Sequence, residues 1–216
     1  MPERALRALC VAGGVLAWKV VVAPRVPSRW QVPARAVLGT GLVAGTRAPL
    51  GLRPPELRAG LTTGSGVAAT IFAVVGASTA LRSVRSSLAG RDVPADVGAW
   101  LIRDIPIGTA WFEEAAYRAA LGTAAARAFG PRRGRLLQAT VFGLSHVPDA
   151  RAAGDSVLGT VLITATAGWL FGWLHSRTGS LAAPMLAHLA TNEAGAVSTV
   201  LVQRTRRATS TPTVTG

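Results

Sequence analysis

Three apolar stretches of membrane-crossing length constrain this chain more than any other feature. Leu61 to Leu81 is 21 residues without a charge, Val157 to Leu174 is 18, and Leu181 to Val202 is 22 with Glu193 as its one acidic residue. A bilayer core about 30 Å thick takes about 20 apolar residues per helix, because backbone polar groups must be satisfied inside the spanning segment. The pattern predicts an all-α, polytopic membrane helix bundle of about six to eight transmembrane helices. Half of the 216 residues are apolar, only 15% are charged and the mean hydropathy is +0.37, which excludes a disordered chain. Neither the alternating strands of an outer-membrane barrel nor the duplicated half of an inverted-repeat transporter is present.

The net charge of +13 does not point to nucleic acid. The arginines fall between the apolar blocks, with Arg47, Arg53 and Arg58 in one gap, Arg82, Arg85 and Arg91 in another, and Arg127, Arg132, Arg133 and Arg135 in a third. Such clusters read as loop and headgroup anchors, so membrane lipids are the expected partners. Cys10 is the only cysteine, which excludes an intramolecular disulfide and a thiolate metal cluster.

Along the chain, Leu6 to Ala23 reads as a retained first helix with Trp18 and Lys19 at an interface, since Ala23-Pro24-Arg25 is a poor signal-peptide cleavage site. Ala34 to Ala44 is a short, Gly-rich block, read as a short helix or an interfacial one. Ser83 to Asp96 is predicted to be a charged loop, with Pro94 and Asp96 starting the next helix. Arg103, Asp104 and Pro106 then interrupt the pattern before a helix from Ile105 to Phe129. Leu136 to Val147 is a helix stopped by Pro148, and the two later apolar blocks are the last spans. The expected units are an N-terminal set of helices and loops over 1–96, a second membrane unit over 97–203, and a Thr-, Ser- and Pro-containing tail over 204–216 with nothing to bury, expected to be disordered.

Ionisable residues inside such helices cost about 2.5 to 3.5 kcal/mol each on insertion scales and are functional candidates by default. Glu114 and Arg118 are four apart with the acid N-terminal, the favourable order for a helical ion pair. Glu113 is rotated about 100° from Glu114 and cannot share that geometry. All three as one structural charge cluster is the plainer reading, though a single arginine satisfies two buried carboxylates poorly. His146 four residues after Phe142 reads alone as a packed core histidine. His188 and Asn192, the only asparagine, share a face of the last span, where a helix-to-helix hydrogen-bond pair is the alternative. His175 reads as a loop residue, Glu193 as noncatalytic and Asp104 as part of a helix start. Together, one carboxylate, two histidines and an amide supply a base, a proton carrier and oxyanion donors, a hydrolase set.

At these residues the sequence resembles the CPBP family of intramembrane proteases, the group that includes the type 2 CAAX prenyl proteases and bacteriocin-processing or immunity proteins. The family's EExxxR appears as Glu113-Glu114-Ala115-Ala116-Tyr117-Arg118, its FxxxH as Phe142 to His146, and its HxxxN as His188 to Asn192. The resemblance covers about residues 97 to 203. It departs at Ala119, usually glycine, and at Tyr117, commonly phenylalanine. The resemblance implies that Glu113 and His146 activate water, that His188 and Asn192 stabilise the oxyanion, and that Glu114 and Arg118 hold the helix in place.

The function so implied is a CAAX-protease-like endopeptidase, a hydrolase acting on a membrane-associated peptide or protein from within a bacterial plasma membrane. A noncatalytic protein of the same fold (immunity or scaffold) and a proton-coupled carrier are the other readings. The family is commonly labelled metalloprotease, yet no HExxH signature occurs. Glu113, His146 and His188 would be the three ligands of a catalytic zinc, with water in the fourth position. The metal-free mechanism is preferred, because an asparagine four residues from His188 suits an oxyanion hole better than a metal shell.

Overall fold

The computed structural model describes residues 2–210, and side chains through Arg206. Among them the chain is helical throughout, without strands. Helix α1 (Pro2–Ala17) continues through a π-helical turn, Trp18–Val22, and a 3₁₀ turn, Ala23–Arg25. Then follow α2 (Ser28–Thr46) and α3 (Glu56–Ser78), then a short α4 (Arg82–Ala89) inside the segment predicted to be a charged loop. That short helix escapes a hydropathy reading because Arg82, Ser83, Arg85, Ser86 and Ser87 occupy most of it, leaving Leu88 as its buried contact.

Val97–Ala99 opens α5, whose first turn is capped by Asp96, Oδ1 accepting from the Ala99 N–H at 2.8 Å. The helix does not break at Pro106. It winds on through Trp100–Trp111 and Glu114–Leu121 in wide π-helical turns and becomes α6, Gly122–Phe129. Proline clashes with the i−4 carbonyl and lacks the N–H of an α-helical bond, and a π turn shifts both constraints by one residue. The expected interruption is thus absorbed as a change of pitch. Beyond it lie α7 (Pro131–Leu144), α8 (Val147–Ala153), α9 (Val157–Thr178) and α10 (Ala182–Ser210). The last helix continues past Val202 into the segment expected to be tail; residues 211–216 lie outside the described residues.

By length and composition, three helices can cross a membrane: Pro2–Arg25, Glu56–Ser78 and Val157–Thr178. They turn large apolar side chains outward, among them Val74, Leu158, Leu162 and Ile163, where lipid rather than water fits. The other helices of the expected six to eight are shorter or carry the buried ionisable residues. The α5–α6 helix is the axis of the bundle, and every residue from Phe112 to Leu121 is buried. Its Phe112, Ala116, Tyr117 and Leu121 pack with Ala12 and Val15 of α1 and with Val141 and Phe142 of α7.

Small residues set the helix separations. On α3, a Cβ at Gly60 would stand 2.6 Å from Ser180 and one at Gly64 would stand 2.9 Å from the Ala183 Cα, the close approach that glycines four apart permit between membrane helices. A Cβ at Gly143 on α7 would stand 2.8 Å from both the Val161 carbonyl oxygen and the Ala165 Cβ of α9. Gly143→Val is therefore expected to push α7 from α9 and to lower stability by at least the 1–3 kcal/mol typical of overpacking, about. An unchanged melting temperature in detergent would contradict this packing.

Candidate active site

The π-wound helix brings Glu113 and Glu114 into the bundle, where both meet one imidazole from α10. His188 Nδ1–H donates to Glu114 Oε1 at 2.7 Å, and its Nε2 lies 3.6 Å from Glu113 Oε2. Glu114 turns its other oxygen to Arg118, 3.2 Å from Nε, with both side chains wholly buried. The four groups form a line, Arg118, Glu114, His188, Glu113. The sequence reading placed Glu114 with Arg118 and missed its bond to His188. Pairing across 74 residues leaves no mark in local spacing.

Phe142 organises the other side. Its ring lies under the Arg118 guanidinium at 3.9 Å and meets His146 edge-on with centroids 4.7 Å apart. It also touches Tyr117 at 5.0 Å and His188 at 6.2 Å. The Phe of FxxxH thereby joins the arginine of the first motif to the histidines of the other two. Helix α7 ends at Leu144, so His146 sits in the turn before α8 rather than within the helix. Its Nδ1–H donates to the Phe142 carbonyl at 2.8 Å, which fixes the ring and leaves Nε2 as the nitrogen able to take a proton.

Glu113 Oε2 is buried and makes no hydrogen bond among the described residues. The positive or protonatable groups around it are His188, His146, Lys19 and Arg118. Lys19, read from sequence as an interfacial residue, pairs instead with Asp149 of α8 at 2.8 Å and so faces the site from α1. Asn192 donates from Nδ2 to the His188 carbonyl at 3.2 Å and lines a cavity of about 440 Å³ with Trp100, Ile105 and Thr109. Thus Glu113 and His188 meet directly. His146 and Asn192 border them through Phe142 and through the backbone of α10, and no hydrogen bond joins either to Glu113. His175 lies in the last turn of α9, which runs on to Thr178, and not in a loop.

Glu113, His146 and His188 do not form the three-donor zinc set considered from the sequence. Among the described residues no three His, Cys, Asp or Glu side chains are grouped to hold a metal ion. Both nitrogens of His188 face carboxylates, and Nδ1 of His146 is committed to a carbonyl.

Residues 96–194 match the family model described as type II CAAX prenyl endopeptidase Rce1-like. This segment is Rce1-like. No curated protein and no solved structure shows significant similarity to the chain. The Rce1-like segment begins at the Asp96 cap and ends two residues after Asn192, so it holds all three motifs and every group of the line from Arg118 to Glu113. The helices before it supply Lys19 and part of the packing of the axial helix.

Proposed function

We propose that the protein is an intramembrane endopeptidase of the bacterial plasma membrane, hydrolysing a peptide bond of a membrane-associated, prenylated substrate with a water activated by Glu113 and His146. The observation that carries this reading is Glu113 Oε2, a buried oxygen without a hydrogen-bond partner 3.6 Å from His188 Nε2. A carboxylate so placed is a base free to accept a proton from water. The water's proton passes to Glu113 as its oxygen bonds to the scissile carbonyl carbon. His146 Nε2 supports the water, and the proton then moves to the leaving amine as the C–N bond breaks. His188 is aimed by Glu114 through Nδ1, as a carboxylate aims a catalytic imidazole. As an imidazolium, with Nδ1–H held by Glu114, it donates from Nε2–H, together with the Asn192 amide, to the developing oxyanion. Glu114 is on this account a positioning residue for His188 as well as the partner of Arg118.

The test is hydrolysis of a fluorogenic prenylated CAAX-type peptide by the purified chain in detergent. Asn192→Ala is expected to lower turnover about 10² to 10³-fold with KM little changed, the usual loss for one oxyanion donor. Activity should survive prolonged chelation. Stoichiometric metal, with activity lost on chelation and restored by zinc, would overturn the metal-free assignment. A folded chain that cleaves no such peptide would favour the immunity or scaffold reading.

A further inference from the structure

Beyond the end of α3 a groove of about 650 Å³ opens between α3, α4 and α10, room for about twenty waters at about 30 Å³ each. Helices α3 and α10 run side by side in the same direction, from Gly60 beside Ser180 to Gly76 and Leu201 on the two walls of the groove. Both leave their apolar stretches there. Helix α3, long and apolar enough to cross a membrane, stops at Ser78, and α10 passes from Val200-Leu201-Val202 into Gln203-Arg204-Thr205-Arg206. One side of the groove is small or apolar, with Gly76, Ala77 and Leu201, and the other carries Arg82, Arg85 and Arg206. No lining residue is acidic.

The frame of the groove is tied together. Gln203 Nε2 donates to the carbonyls of Leu88 and Arg91 at 3.3 and 2.7 Å, which holds the end of α4 to α10. The N–H groups of Thr79, Ala80 and Leu81 cap the last carbonyls of α3, those of Gly76, Ala77 and Ser78, at 3.0 to 3.1 Å. The Arg82 and Arg85 side chains are exposed and form neither an ion pair nor a hydrogen bond among the described residues. Two unanswered guanidinium groups match a phosphate, whose oxygens take the arginine fork in pairs. A zwitterionic headgroup would bring its own ammonium into a groove without a carboxylate, so charge favours an anionic one. A soluble phosphate would leave the apolar side unused. Leu201 and Val197, one turn apart on one face of α10, are both exposed and lead from the groove back along the helix, where acyl chains fit.

We propose that this groove binds one anionic phospholipid, its phosphate held by Arg82 and Arg85 and its acyl chains laid against Leu201 and Val197. Every residue of the groove lies outside the matched segment 96–194, so the site is independent of the peptidase reading. The bound lipid bridges α4 and the end of α3 to the helix that carries His188 and Asn192, and steadies α10 from outside the candidate active site.

The test uses the full chain, purified in a mild detergent and titrated with dioleoyl phosphatidylglycerol or dioleoyl phosphatidylcholine. Native mass spectrometry counts the bound lipid, and thermal unfolding reads its effect on stability. A basic side chain near an anionic headgroup contributes about fivefold in affinity, so one phosphatidylglycerol is expected to bind about thirtyfold more tightly than phosphatidylcholine and to raise the melting temperature. Arg82→Gln or Arg85→Gln should each lose about fivefold of that preference and the double variant nearly all of it. Arg132→Gln together with Arg133→Gln, two exposed arginines at the start of α7, should lose none. All four side chains are exposed, so these variants are expected to fold, and the comparison of the two lipids on the natural chain stands without them. Equal affinity for the two lipids would overturn the proposal. So would an equal loss from the α7 pair, which would make the attraction a diffuse property of the basic surface. Glycerol 3-phosphate that displaces the lipid at comparable concentration would make the groove a free-anion site, and a dimer that depends on Arg82 and Arg85 would give it to a second copy of the chain. Either result overturns the assignment to a lipid.

Discussion

Glu113→Gln is expected to lower peptide hydrolysis by about 10²- to 10⁴-fold, the contribution of a positioned general base, while leaving the melting temperature in detergent nearly unchanged. The side chain keeps its shape, and the contact it loses is a 3.6 Å approach to His188 rather than a short hydrogen bond. The native Oε2 has no hydrogen-bond partner to lose. Measured together, turnover and thermal unfolding separate chemistry from architecture. A variant that unfolds as readily as it loses activity would place Glu113 in the frame of the protein instead of in its reaction.

Glu114→Gln should give the opposite profile. Its carboxylate is fully buried between Arg118 at 3.2 Å and His188 at 2.7 Å. Neutralising it leaves a guanidinium buried against the Phe142 and Phe171 rings with no counter-charge. Breaking a buried pair in this way costs about 3–5 kcal/mol, a large share of the stability of a domain this size. Folded yield and melting temperature should therefore fall steeply, with Arg118→Met similar because it strands the carboxylate. Activity in the fraction that folds should fall as well, since His188 loses the acceptor that orients it. Unchanged melting in both variants would show that the buried line is not the structural element its geometry implies.

The contrast between these neighbours marks how far the sequence could be read. The i, i+4 spacing of Glu114 and Arg118 announces their ion pair, and the apolar blocks announce the helices, because both are local properties of a helix. Which carboxylate His188 bonds is set by how α10 packs on the axial helix, and no spacing along the chain records that. His175 reads as a loop residue because it lies just past the apolar span and beside Arg177, although α9 continues to Thr178 before Gly179 turns with φ 69°. The interruption expected at Arg103, Asp104 and Pro106 comes from the polar residues and the proline in the apolar pattern, and the chain passes through them in a π-helical turn instead. A cavity beside Arg118 is beyond a sequence reading for a related reason. Gln138 lies on α7 and Arg118 on the axial helix, and only packing places both along one wall.

The Phe142 ring bears on how the site behaves while charge moves through it. In the proposed hydrolysis a proton leaves water, resides on a side chain and departs with the amine, so electrostatic attractions among the acids, imidazoles and guanidinium rise and fall. The van der Waals packing of an aromatic ring among them stays in place throughout. Phe142 holds Arg118 by its face and packs against His146 and His188 edge-on, so one apolar ring sets the spacing of three charged or protonatable groups. The spacing of those groups is thereby fixed by packing before any ligand arrives, the preorganisation that a polar site inside a bundle requires.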